Sequence, residues 1–138
     1  MTKLTIIGAG SAVFTKNIVT DLLSLDTFKN MEISLQDIDP VRLKASHELL
    51  NAISKKLNAS PKITSYTDRR KSLVGANFVQ TTIQVGGYKP STVIDFEIPS
   101  QYGLKQTIAD TLGIGGIMRA LRTIPVLLDI AKDVMEIC

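Results

Sequence analysis

The sequence predicts an α/β fold in which a parallel sheet carries helices on both faces. Three observations predict it. Short β-branched runs and helical stripes alternate through the first half of the chain. A glycine-rich turn, Gly8-Ala9-Gly10, joins the first such run directly to the first stripe. And 44% of the 138 residues are apolar, enough for a packed core at the length of one ordinary domain.

Leu4 to Ile7 is apolar, β-branched and stopped by Gly8, the pattern of a buried strand. From Ser11 to about Leu25, Phe14, Ile18, Leu22 and Leu25 recur at steps of four, four and three, which predicts a helix with that row inside. Met31 to Leu35 reads as the second strand, closed by Gln36-Asp37-Ile38-Asp39-Pro40. Asp39 suits a helix N-cap and Pro40 the first helical turn, so Arg42 to Leu57 is a helix with Leu43, Leu50, Ile53 and Leu57 on its buried face. After a loop at 58–61, Lys62 to Tyr66 is a short third strand, Leu73 to Ala76 ends a brief helical turn, and Asn77 to Ile83 is the fourth strand. This order builds parallel strands with right-handed crossovers. Residues 88–118 mix prolines, glycines and polar groups without a period, and read as irregular. From Ile117 to Ile137, Leu121, Ile124, Leu128, Ala131 and Met135 return at helical spacing.

Composition excludes several function classes. With 16 basic and 13 acidic residues the net charge is +3, far from the clustered field of a nucleic-acid binder. One cysteine, Cys138, excludes an internal disulfide, and with the one histidine, His47, it excludes a cluster of thiol and imidazole ligands. The chain is therefore not expected to hold a complete transition-metal site. No apolar stretch approaches a membrane span, and the N-terminal run is shorter than a signal-peptide core, so a cytoplasmic setting is expected. His47 reads as a partly exposed structural residue, and Lys55-Lys56 and Arg69-Arg70-Lys71 as solvated charges.

The local signal with chemistry in it is Gly8-Ala9-Gly10-Ser11-Ala12-Val13, placed between a strand and a helix. The first glycine allows the tight turn, and the second lets backbone approach a pyrophosphate. The helix N-terminus then offers free N–H groups and a positive dipole end. Val13 stands where a third glycine is usual, which leaves the phosphate-facing part intact. Asp37 ends the second strand 24 positions after Val13, near the spacing of roughly 20 expected for a ribose-binding carboxylate. A carboxylate there accepts from both ribose hydroxyls and repels a 2′-phosphate, so NAD is expected over NADP. Together these features predict a Rossmann-like dinucleotide domain. Gly86-Gly87 follows the fourth strand and reads either as a ligand contact or as a turn. The run 106–119, glycine-rich and leading into a helix, reads either as an anion- or hydroxyl-binding mouth or as a plain helix entry.

Four segments together resemble glycoside hydrolase family 4 along essentially the whole chain: Gly-Ala-Gly-Ser-Ala-Val-Phe (8–14), Asp-Ile-Asp-Pro-Val-Arg-Leu (37–43), Gln-Val-Gly-Gly-Tyr (84–88) and the run Ile-Ala-Asp-Thr-Leu-Gly-Ile-Gly-Gly-Ile-Met-Arg-Ala-Leu-Arg-Thr-Ile-Pro (108–125). The last is most similar to the family's α-galactosidase (melibiase) branch. The resemblance implies a sheet of the lactate/malate dehydrogenase type, bound NAD and a divalent metal, usually Mn²⁺. It also implies hydrolysis of an α-galactoside such as melibiose: oxidation at sugar C3, loss of the C2 proton, elimination at C1, addition of water and return of the hydride. The phosphate-gripping arginine of the family's 6-phospho branches is replaced by Tyr88-Lys89-Pro90-Ser91, which argues for an unphosphorylated sugar.

By the same resemblance, Gly8, Gly10, Ser11 and Ala12, with Val13 and Phe14 beside them, contact the cofactor. Thr82 and Gln84 lie near its nicotinamide end, and Asp110 and Arg119 belong to the sugar pocket. The metal ligands and catalytic acid and base of the family lie beyond residue 138. The chain is thus expected to be an incomplete NAD-binding domain, inactive by itself and without catalytic residues, from a homo-oligomeric family. Two other readings stand beside this one. A lactate- or malate-type dehydrogenase shares the opening fingerprint, but 84–88 and 108–125 do not resemble its substrate loop. A non-catalytic nucleotide-binding module would show no turnover at all. With the following strands missing, poor solubility or self-association is expected.

Overall fold

The computed structural model describes residues 1–106 and 113–138, which form two units: 1–83 with 133–138, and 84–132. In the first unit β1 (Lys3–Ile7), β2 (Glu32–Gln36), β3 (Lys62–Tyr66) and β4 (Phe78–Thr81) make one sheet in the order β3-β2-β1-β4, every pair parallel. Between them lie α1 (Ala12–Leu23), a 3-10 turn (Asp26–Phe28), α2 (Pro40–Lys56) and α3 (Arg69–Leu73). The chain steps outward from β1 to β3, then returns to lay β4 on the other side of β1. That reversal creates a switch point at the carboxyl ends of β1 and β4, where open parallel sheets bind ligands.

Side chains alternate along a strand, so each face of the sheet has its own chemistry. The register Leu4↔Ile33 and Ile6↔Leu35 gathers four apolar side chains on one face. They pack with Val19 and Leu23 of α1 and with Leu43 and Leu50 of α2. The opposite face is polar yet buried. Thr5 and Ser34 both donate to the Ser72 carbonyl at 3.0 Å, Lys3 Nζ donates to Val74 O at 2.6 Å, and Gln36 donates to Thr67 O at 3.2 Å. Here Thr67, Ser72 and Val74, in and beside α3, supply the carbonyls that satisfy these four side chains, with Leu73 buried among them, while Thr64 Oγ1, in register with Ser34, is buried without a partner. The helices lie on both faces, as the alternation predicts.

The α1 row predicted from apolar spacing is corrected by one position. Thr15, Val19 and Leu23 are buried, whereas Phe14 is 60% exposed and Leu25 stands in solvent. Thr15 wins the interior place because its hydroxyl donates to the Ala9 carbonyl at 3.0 Å. On α2 the prediction holds: Leu43 and Leu50 are buried, Ile53 and Leu57 pack at the core's edge, and Asp39 caps the helix by accepting from Val41 N and Arg42 N. His47 pairs its Nδ1 with Ser65 Oγ at 2.7 Å, a structural contact.

The second unit departs from expectation. Residues 88–101 are helical rather than irregular: a π-helical winding over Tyr88–Val93 continues into α4 (Ile94–Gln101). The buried Asp95, 2% exposed, accepts from both terminal nitrogens of the Arg122 guanidinium, whose Nε is buried without a partner. Gln106 donates to Asp95 O at 2.6 Å and accepts from Gly115 N at 2.7 Å, fastening α4 to the start of α5 (Ile114–Ile137). The apolar stripe of α5 is exposed in this structure, with Leu121 at 71% and Leu128 at 58%. Its last turn belongs to the first unit, where Asp133 binds Arg69 and Arg70, and Arg70 also binds Glu136 at 2.9 Å. Arg69 and Arg70 are thus ion-paired, not solvated as the charge run suggests. Among the described residues no helix is long and apolar enough to cross a membrane.

Candidate functional site

The glycine turn at the end of β1 is held from three sides. Gly8 N and Ala9 N both donate to Gln36 O at 2.9 Å, tying the turn to the end of β2. On the β4 side Thr82 N donates to Ile7 O at 2.8 Å, and the Thr82 hydroxyl reaches Gly8 O at 3.0 Å. From behind, the Ala9 carbonyl accepts from Thr15 and from Ser46 at 2.8 Å, which ties both α1 and α2 to the turn. Gly8 has φ +83°, and a Cβ there would collide with the Thr82 carbonyl, so only glycine fits. Thr82, placed by the family resemblance near the nicotinamide, spends its hydroxyl on this buttress.

Asp37 lies directly across the turn. Its Oδ2 accepts from Gly10 N at 2.7 Å and its Oδ1 accepts from Asp39 N at 2.9 Å. A Cβ on Gly10 would stand 2.7 Å from Asp37 Oδ2 and 2.9 Å from Arg42 Cβ. The second glycine is therefore required by the carboxylate that closes on it, in addition to any phosphate. Ser11 precedes α1 without capping it through its side chain, and no acidic residue occupies the first turn. The first-turn amides of Ala12, Val13 and Phe14 are consequently open to an anion. Val13 and Phe14 are exposed beside them. An open amide cradle, a glycine with no room for a side chain and a carboxylate across the turn fit a dinucleotide.

The remaining predicted residues fall elsewhere. Gln84 belongs to the second unit and donates to Thr92 Oγ1 at 2.7 Å. Arg119, also in that unit, lines a cleft of about 360 Å³ with Tyr88, Thr92, Val93, Phe96 and Glu97. Asp110 lies outside the described residues. Among those described, no three His, Cys, Asp or Glu side chains converge to hold a metal ion, so these residues do not fit Mn²⁺. Sequence reasoning missed Asp95 and Arg122; an acid inside the run Val93-Ile94-Asp95-Phe96 is the signal that could have marked them.

A family model described as Family 4 glycosyl hydrolase matches residues 3–138. The chain belongs to glycoside hydrolase family 4. This family 4 chain is 57% identical over its whole length to an α-galactosidase from Bacillus subtilis (strain 168), of which it covers 32%. It is 38% identical, over 98% of its residues, to an α-galactosidase from Rhizobium meliloti (strain 1021), covering 27% of that protein. The chain thus spans about a third or less of the curated relatives it matches. Among solved structures, a 6-phospho-β-glucosidase from Thermotoga maritima with manganese, NAD⁺ and glucose-6-phosphate superposes with a TM-score of 0.84 at 25% identity, over 99% of this chain and 32% of that one. The family match does not favour the dehydrogenase reading.

Proposed function

We propose that this chain is the nucleotide-binding part of an NAD- and Mn²⁺-dependent α-galactosidase that acts on an α-galactoside such as melibiose. The observation that carries the reading is the Asp37 carboxylate set against the Gly10 amide at the switch point. Each Asp37 oxygen keeps lone-pair capacity beyond its one backbone partner, which suits it to the two hydroxyls of an adenosine ribose. The open first turn of α1 receives the pyrophosphate through its backbone N–H groups and the helix dipole, while Gly8 and Gly10, their own N–H groups held by Gln36 O and Asp37, keep the turn clear of side chains. The fingerprint is buttressed by β2, β4 and both helices, so its amides are aimed before ligand arrives and little ordering cost falls on binding.

When bound, NAD⁺ supplies a hydride acceptor that lets a sugar carbon be oxidised and later restored. The sugar class rests on likeness to the two α-galactosidases. Arg119, beside the aromatic rings of Tyr88 and Phe96 and the Glu97 carboxylate, offers the mixture of stacking and hydrogen-bonding groups that sugars use. Titration calorimetry of the purified chain with NAD⁺ and NADP⁺ tests the reading. Saturable binding that prefers NAD⁺ and weakens at least tenfold in Asp37→Ala is expected, in line with about 1.5–3 kcal/mol for a hydrogen bond to a charged group. A folded chain that binds neither nucleotide sinks it.

A further inference from the structure

Of the five arginines, three pair with carboxylates and Arg119 lines the cleft described above. Arg69 and Arg70 bind Asp133, and Arg122 binds Asp95. Arg42 is exposed, and among the described residues its guanidinium has no hydrogen bond and no ion pair, although two carboxylates lie within five residues of it. Both accept backbone N–H groups and neither pairs with it. Asp39 Oδ1 caps α2 by accepting from Val41 N and Arg42 N at 2.9 and 3.1 Å, and Asp37 accepts from Gly10 N and Asp39 N. The root of Arg42 and the Asp37 carboxylate flank the same glycine, since a Cβ on Gly10 would touch both. One uncommitted cation and one carboxylate therefore border the place where the adenosine ribose sits in the reading above.

Resting on that reading, we propose that Asp37 and Arg42 form a two-residue selector at the ribose 2′ position, in which Arg42 is a latent 2′-phosphate site that the Asp37 charge keeps closed. With Asp37 ionised, a dianionic 2′-phosphate meets a carboxylate at short range and is excluded, while the 2′-hydroxyl is accepted. Without that charge, the same 2′-phosphate finds a free guanidinium, whose planar fork matches phosphate oxygens bidentately. The fold carries the means to bind NADP and a single carboxylate that prevents it.

The test is equilibrium calorimetry with NAD⁺ and NADP⁺ on the full chain, on Asp37→Ser, on Asp37→Asn, and on each of these combined with Arg42→Ala. Asp37→Asn keeps an acceptor oxygen for Gly10 N–H and guards against a turn that collapses in Asp37→Ser; circular dichroism and melting confirm the fold of each variant. In at least one single variant, NADP⁺ affinity relative to NAD⁺ is expected to rise about tenfold or more, and adding Arg42→Ala is expected to erase that gain while leaving NAD⁺ affinity near that of the single variant. The regained NADP⁺ binding should also weaken more steeply with salt than NAD⁺ binding does. If folded single variants show no gain, or the gain survives loss of Arg42, the selector is overturned while NAD⁺ binding by the parent chain stands. If the folded parent chain binds neither nucleotide, the cofactor reading fails and the selector fails with it.

Discussion

The sheet unit and the 84–132 unit both contain helices with a clear apolar period, yet only the sheet unit buries its share. In the first, Leu43 and Leu50 of α2 and Val19 and Leu23 of α1 close over Ile33 and Leu35. In the second, the α5 stripe of Leu121, Ile124 and Leu128 is exposed, and the buried side chains among the described residues are Ser91, Asp95, Pro99 and Ile130, with Asp95 in an ion pair. The first unit is held by hydrocarbon on a sheet face, and the second by directed contacts from Asp95, Arg122 and Gln106. A helical period identifies a helix and its apolar side. It does not supply the surface that buries that side.

The sharpest way to break this contrast is a pair of truncations. Leu35→Ala should cost about 2–5 kcal/mol of unfolding free energy, the range for emptying a packed aliphatic site, whereas Leu121→Ala should stay within about 0.5 kcal/mol. Urea melts of the two variants check it, and equal losses would mean that the α5 stripe is buried in solution. A smaller effect is expected from charge on that stripe. Leu121→Lys with Leu128→Glu should reduce self-association in sedimentation velocity without shifting the melting temperature, because an exposed apolar patch drives association rather than folding. The chain runs as the same oligomer with and without the charges if the stripe is not the contact.

The smallest effect concerns the last turn of α5, which belongs to the sheet unit. The guanidinium groups of Arg69 and then Arg70 hold the Asp133 carboxyl below the usual carboxylate range, against the opposing pull of burial. A carboxyl depressed in the folded state adds stability that is present above its unfolded value, about 3.9, and is lost as pH falls through the folded value. Acid melts should therefore show a loss beginning below about pH 4 that is weaker in Asp133→Asn. An acid limb unchanged in that variant would mean that the Asp133 pairing with Arg69 and Arg70 adds nothing to stability.

Much of the site was open to reading along the chain. Gly8, Gly10 and Asp37 are local in kind: a turn that needs positive φ, a close approach, and a carboxylate at the end of the next strand. The Asp39-Pro40 start of α2 was equally plain, because an N-cap and its proline act within four residues. What escaped was non-local. Thr15 displaced Phe14 from the interior through a hydrogen bond to a carbonyl six residues back, which no hydropathy count registers. The helical path over 88–101 runs through Pro90 and Pro99 with no apolar period, and the Asp95–Arg122 pair that anchors it joins residues 27 apart.

By itself, then, the sequence determined the strand–helix alternation, the glycine turn between β1 and α1, the carboxylate at the end of β2 and the family, since each depends on residue type at short spacing. Only the tertiary structure decided that the second sheet face is polar and meets carbonyls in and beside α3, that Thr82 buttresses Gly8, and that Arg42 stands uncommitted beside Asp37. Those outcomes turn on which distant backbone atoms arrive within hydrogen-bonding reach, and that is set by sheet order and register rather than by any window of the chain.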